Sequence, residues 1–198
     1  AKLGHSATIF ETLPQPGGMM RYGIPEYRLP KSVLDAEIKE MTDVGVEIKT
    51  NTPVESLESL WEQGYNATFI GIGAQQSMGM RIDGEDNPRV MGGASFLREV
   101  SLGKKVEVGD KVAVVGGGNS AMDSSRTALR LGAKEVTIVY RRTRAEMPAS
   151  PEEIEECLHE GIKMYFLAAP SKIVGRDGGV QLECVRMKLG APDASGRR

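Results

Sequence analysis

Gly116-Gly117-Gly118-Asn119-Ser120-Ala121 follows the apolar run Val112-Ala113-Val114-Val115 and opens a helical pattern from Asn119 to Leu131 that stops at Gly132. Buried strand, glycine turn, helix: this order decides the fold class. A G-x-G-x-x-A turn needs its residues for physical reasons. Gly116 permits the tight turn, Gly118 lets the backbone approach a pyrophosphate, and Ala121 keeps the helix close to the sheet. The anion then rests on the free N–H groups at the positive end of the helix. A generic strand-to-helix turn is the competing reading, and glycine spacing alone does not exclude it. The context favours the nucleotide loop: a second strand, Val136 to Tyr140, follows at the distance a strand–helix–strand unit requires.

The side chain that reads the ribose lies about 20 residues beyond such a loop. Counting from Ala121 reaches Arg141, beside Arg142 and close to Arg144. An acid at that place binds a 2′-hydroxyl, whereas arginine suits a 2′-phosphate through charge-assisted, bidentate bonds. The pattern therefore predicts NADPH, against the plainer reading of a solvated basic strand end.

Working outward, Ala7 to Glu11 reads as a short buried strand ending in an acid, the place for a carboxylate on an adenosine ribose. Glycine and proline crowd from Pro14 to Gly18. Leu34, Ile38 and Met41 recur at helical spacing, with Gly45 as the expected cap, and Val46 to Thr50 alternates as a strand. Leu57, Leu60 and Trp61 mark a short helix, and Ala67 to Gly73 reads as a fully buried strand running into a glycine turn. Ala94 to Val100 reads as a helix. Ser150-Pro151-Glu152-Glu153 has the form of a capping box, opening a helix with Ile154, Cys157 and Leu158 on one face. Lys163 to Ala168 and Val180 to Lys188 read as strands, with a hairpin turn at Asp177-Gly178-Gly179. Strands alternating with helices predict an α/β fold with a parallel sheet. The expected boundary separates residues 1–108 from 109–198 at the turn Val108-Gly109-Asp110.

Composition narrows the function. Twenty-five basic and 27 acidic side chains give a net charge of −2, which argues against a nucleic-acid binder or an anionic membrane surface. The 24 glycines in 198 residues exceed the usual ~7%, yet 40% of the chain is hydrophobic, so they punctuate a packed fold. Cys157 and Cys184 form no C-x-x-C pair, which excludes thioredoxin-reductase-like chemistry and fits a reducing cytoplasm. No apolar run approaches the ~18 residues of a membrane span. His5 and His159 have no catalytic context, and no side chain stands out as an acid, base or nucleophile.

Three longer segments resemble a known family. Gly17-Gly18-Met19-Met20-Arg21-Tyr22-Gly23-Ile24-Pro25-Glu26-Tyr27-Arg28-Leu29-Pro30-Lys31 is similar to the flavin loop of the glutamate synthase small (β) subunit family. Residues 116–133 and 139–149 resemble that family's NADPH segment. The resemblance implies two nested Rossmann-like dinucleotide-binding domains, a partial FAD-binding domain with linker over 1–108 and an NAD(P)H-binding domain over 109–198. It implies hydride transfer from NADPH to FAD and electron flow to iron–sulfur clusters outside this chain. The partner it implies is an iron–sulfur domain or subunit, such as the large amidotransferase (α) subunit of glutamate synthase. The same module occurs in dihydropyrimidine dehydrogenase, so other reductases remain alternatives, as does a non-catalytic NADP(H)-binding module that docks a partner.

Carried over by position, the resemblance implies that Glu11 binds the FAD ribose. Gly17 and Gly18 leave room for flavin phosphates, with Arg21 beside them. Val54 meets the adenine, and Gly73 lies in the family's second glycine turn. Gly116, Gly118, Asn119 and Ser120 hold the NADPH pyrophosphate, and Arg141 and Arg142 the 2′-phosphate. An alternative leaves Arg21 and Arg28 in ordinary pairs with Glu26 or Asp35. The family's cysteine-rich region, first FAD glycine loop and closing segment have no counterpart here, so the FAD domain is expected to be incomplete and FAD binding weak or absent. The chain produced alone is expected to show no flavin absorbance; purification with stoichiometric yellow flavin would overturn this.

Overall fold

The computed structural model describes residues 1–192. The chain divides into two compact units between Gln75 and Gln76. In the first, β1 (Ala7–Phe10) and β2 (Val46–Lys49) pair in parallel, from Ala7 opposite Val46 to Phe10 opposite Lys49. A parallel pair needs a crossover, supplied by α1 (Gly18–Tyr22) and α2 (Lys31–Asp43). The sequence reading had no helix at α1, because glycine and proline dominate its approach. On α2, Leu34 is buried and Ile38 half-buried, but Met41 is exposed, contrary to expectation. Leu34 packs against the turn at Gly17, and Met41, two turns further on, lacks such cover. A short helix, α3 (Glu58–Glu62), buries Leu60 and leaves Trp61 exposed.

The expected buried strand at Ala67 to Gly73 is not formed. No described residue pairs with it, and Phe69 is 94% exposed and Ile72 78%. A strand exists through its ladder, and the β1–β2 sheet offers this segment none. An apolar run reads the same whether or not its neighbours are present.

The second unit contains α4 (Gly93–Ser101), β3 (Lys111–Val115), α5 (Asn119–Arg130), β4 (Glu135–Tyr140), α6 (Pro151–His159) and β5 (Lys163–Phe166). The strands form a parallel sheet in the order β3-β4-β5. Its register sets Val112 beside Val136, Val114 beside Ile138, and Ile138 beside Met164. This face packs with Met122, Ile154, Cys157 and Ile162 into the core. The expected boundary lies at 108/109; by packing, residues 76–108 group with the second unit, because α4 lies on α5 with Gly93 against Ser124.

β5 ends where Leu167 takes a left-handed φ of 53°, so the expected strand through Ala168 breaks there. β6 (Ala168–Arg176) and β7 (Gly179–Arg186) then form an antiparallel hairpin around Asp177-Gly178, as the Asp-Gly pair predicts. The loop before α4 docks on β6: the Ile173 N–H donates to the Asp83 carbonyl at 2.8 Å. Gly84 has a φ of +80°, and a Cβ there would lie 2.0 Å from the Ile173 carbonyl oxygen.

The expected capping box at Ser150 is also absent. Ser150 makes no side-chain cap bond, and the reciprocal half fails because the Glu153 carboxylate turns to Arg126, 2.7 Å away, while the Ser150 N–H donates to Asn119 Oδ1. Leu158, expected inside with Ile154 and Cys157, is largely exposed. Arg126 is only 6% exposed, and its guanidinium also reaches Glu160 at 2.9 Å and Glu156 at 3.4 Å. Hydrogen bonds from Arg130, then Arg126, hold the Glu160 carboxyl below the usual carboxylate range against partial desolvation. Truncating one member of a buried ion network strands the others. Arg126→Ala is expected to lower the unfolding free energy by about 3 kcal/mol in urea titrations; a loss within experimental error would mean that the network contributes nothing to α5–α6 packing.

Candidate functional site

β3 ends at Val115, and the chain turns through Gly116 at a φ of +137°, accessible only to glycine without strain. The Gly116 N–H donates to the Val139 carbonyl at 3.0 Å. This bond sets the glycine loop and the start of the Arg141–Arg144 turn on the same carboxyl edge of the sheet.

The three glycines are required for three different reasons. At buried Gly117 a Cβ would fall 2.6 to 2.9 Å from three ring carbons of Tyr140. Gly118 has an extended backbone (φ −93°, ψ 173°) that any residue adopts, and a Cβ there would meet only Pro148 Cγ, at 3.9 Å. No packing among the described residues calls for glycine at 118. The missing side chain keeps open the space before the first turn of α5, where the N–H groups of Asn119 and Ser120 have no intrahelical acceptor. An open cradle, free donors and a helix dipole suit a phosphate group, so the residues fit a dinucleotide.

Asn119 and Ser120 are exposed. The Asn119 Oδ1 accepts the Ser150 N–H at 2.9 Å, so what Asn119 offers an anion is its backbone N–H. Arg141 is exposed, and no described residue forms an ion pair with it. Arg142 is half-buried, and its carbonyl accepts the Leu167 N–H at 3.1 Å. Arg144 pairs with Glu155. Beside this turn lies an open cavity of about 780 Å³ with Met147, Ile154 and Phe166 on its wall and Thr143 and Arg144 at its rim.

Three residues that shape this turn, Thr143, Glu146 and Tyr140, were not singled out from the sequence. Thr143 and Glu146 form a capping box around a 3-10 turn, with the Glu146 carboxylate accepting from the Thr143 N–H at 3.1 Å and its hydroxyl at 2.6 Å. The Tyr140 hydroxyl donates to the Glu146 carbonyl at 2.7 Å. The box was legible as Thr-x-x-Glu; the tyrosine contact carries no sequence signature.

In the first unit, Glu11 immediately follows β1, and its Oε1 accepts the Leu13 N–H at 2.8 Å. The Thr52 N–H donates to the Glu11 carbonyl, which brings the chain leading to exposed Val54 alongside. Gly17 is needed by the protein's own packing: its φ is +126°, and a Cβ would lie 2.8 Å from Leu34 Cδ2. Gly18 is left-handed with open space around it. Arg21 is buried, bonded to the Pro16 carbonyl, to Gln15 at 3.2 Å and to the Asp35 carboxylate, so the Asp35 alternative is the pairing formed. Gly73, with a φ of +65°, lies at the end of the unpaired 67–73 run, and no described hydrogen bond joins it to Glu11 or Val54.

Both cysteines are free. Burial pushes the Cys157 thiol up to about 12 and also raises Cys184, so neither is poised as a thiolate. Among the described residues no His/Cys/Asp/Glu group suits a metal ion, and no helix is long and apolar enough to cross a membrane.

A parallel α/β unit with an anion cradle at a helix N-terminus defines a dinucleotide-binding protein. The pyridine nucleotide-disulphide oxidoreductase family model matches residues 1–191, and the chain belongs to that family. It is 46% identical to the β subunit of the NADP(+)-dependent formate dehydrogenase of Moorella thermoacetica, over 98% of this chain and 28% of that protein. It is 36% identical to the glutamate synthase [NADPH] small chain of Escherichia coli, over 98% of this chain and 44% of that one, in line with the resemblance carried by its motifs. The chain thus spans less than half the length of these relatives. Its fold matches the His57Gln mutant of FprA from Mycobacterium tuberculosis with a TM-score of 0.78 at 22% identity, covering 96% of this chain and 58% of that one. The match confirms the FAD/NAD(P)-binding fold class.

The two inner glycines separate packing from ligand binding. Gly117→Ala is expected to destabilise the chain by about 1–3 kcal/mol through overpacking against Tyr140. Gly118→Ala is expected to change stability by no more than about 1 kcal/mol while weakening dinucleotide binding at least tenfold. Equal binding by wild type and Gly118→Ala would show that the cradle is not the phosphate site.

Proposed function

We propose that the chain is the nucleotide-binding part of an NADPH- and FAD-dependent oxidoreductase that feeds electrons to an iron–sulfur acceptor on another domain or subunit. The observation that carries the reading is the open cradle at Gly118, with Arg141 and Arg142 at the end of the adjoining strand. The Gly116–Ser120 backbone receives the pyrophosphate, and the arginines receive the 2′-phosphate as paired, charge-assisted donors. Glu11, Gly18 and the chain around Val54 form the FAD-facing edge of the first unit. Gly17 and Arg21 hold the Gln15–Gly18 turn against α2 and act there as supports. Nicotinamide and flavin, when bound, supply the hydride chemistry; the chain binds and orients them.

Relatives named as NADPH or NADP(+) oxidoreductase subunits support the donor. Their standing as β subunits or a small chain supports a partner, and the glutamate synthase type makes that partner a large amidotransferase subunit. A cytoplasmic setting agrees with the NADPH donor and the unpaired cysteines.

The reading predicts that NADPH binds at least tenfold more tightly than NADH, as titration by calorimetry would measure. Charge-assisted hydrogen bonds contribute about 1.5–3 kcal/mol each. Replacing both Arg141 and Arg142 with alanine should therefore remove roughly 100-fold or more of NADPH affinity and leave NADH nearly unchanged. Preference for NADH, or equal loss for both nucleotides, would sink the arginine assignment.

A further inference from the structure

Tyr140 is the last residue of β4, immediately before Arg141, and is 7% exposed. Its two ends serve two different loops. The ring lies on Gly117, so close that no Cβ fits between them. The hydroxyl donates to the Glu146 carbonyl at 2.7 Å and closes the turn that contains Arg141, Arg142 and Arg144. The Glu146 carboxylate in turn holds both the N–H and the hydroxyl of Thr143, the residue after Arg142. Further along, the Ala149 N–H donates to the Gly117 carbonyl at 3.1 Å and returns the same segment to the glycine loop. The pyrophosphate loop and the arginine turn are therefore referenced to one aromatic side chain that is itself anchored in the sheet.

We propose that Tyr140 is a positioning residue for cofactor selectivity: its hydroxyl holds the arginine turn at the distance from the glycine loop that lets a nucleotide engage both through pyrophosphate and 2′-phosphate. This deepens the NADPH reading and rests on it. The ring and the hydroxyl divide the task. The ring shapes the glycine loop, which every dinucleotide uses, and the hydroxyl shapes the turn, which only a 2′-phosphorylated nucleotide uses. A long, exposed arginine recognises a phosphate tightly only when its backbone is fixed, since ordering a loose turn offsets the bond that forms.

Tyr140→Phe keeps the ring on Gly117 and removes only the hydroxyl. The test measures dissociation constants of NADP+ and NAD+, which differ only in the 2′-phosphate, for the 198-residue chain by calorimetry. In wild type, NADP+ should bind more tightly than NAD+. In Tyr140→Phe that preference should fall about five- to tenfold, the worth of one hydrogen bond, with NAD+ affinity held within twofold. Glu146→Ala, which opens the capping box but leaves the ring and hydroxyl in place, should reduce the same preference and serves if Tyr140→Phe folds poorly. Equal weakening of both nucleotides would assign Tyr140 a structural role only and overturn the proposal, as would an unchanged preference in both variants. A wild type with no preference would overturn the arginine assignment and this inference with it, and is told apart because it appears before any substitution.

Discussion

Gly117 lies so close to the Tyr140 ring that no Cβ fits between them, and the β3–α5 turn is arranged around that approach. A side chain at 117 would push the β3–α5 turn away from β4. The Gly116 N–H could then no longer reach the Val139 carbonyl, and the first turn of α5 would leave the carboxyl edge of the sheet. The same contact explains why the loop carries three consecutive glycines. One is needed for its dihedral angle, one for proximity to an aromatic ring, and the third leaves the space before α5 open.

α5 is held in place by packing rather than by its own hydrophobicity. All eight residues from Ala121 to Ala128 are buried, although five of them are polar or charged. The Ser125 hydroxyl donates to the Ala121 carbonyl, and Arg126 draws in carboxylates from α6. Ser124 Oγ is buried without a hydrogen-bond partner among the described residues, beside Gly93 of α4. α5 is therefore clamped from both sides, by α4 through close small-residue packing and by α6 through charge. Rigid placement of the N-terminal N–H groups is what makes a helix end useful to a phosphate.

Legibility followed the range of the interaction that decides each feature. The glycine loop, the flanking strands of the second unit, the Asp-Gly hairpin and the basic residues after β4 were readable, because each depends on residues adjacent in sequence. Ser150–Glu153 misled because a distant arginine outcompeted the local cap for Glu153. Thr143–Glu146 satisfied the same local rule without competition. Met41 and Leu158 fit their helical periodicity and are nonetheless exposed, since periodicity names a face and not the element that covers it.

The sequence by itself determined the α/β class, the glycine turn between β3 and α5 and the basic character of the residues after β4, all of which follow from short-range spacing. Only the tertiary structure decided where those parts point. It directed Arg21 to Asp35, left Ala67 to Gly73 without a ladder, and gave each loop glycine its separate reason. It also showed Tyr140 touching Gly117, 23 positions upstream, with its ring and closing the arginine turn at Glu146 with its hydroxyl. Such contacts escape sequence reading because nothing in local propensity records which distant backbone a side chain will meet once the sheet has set its register.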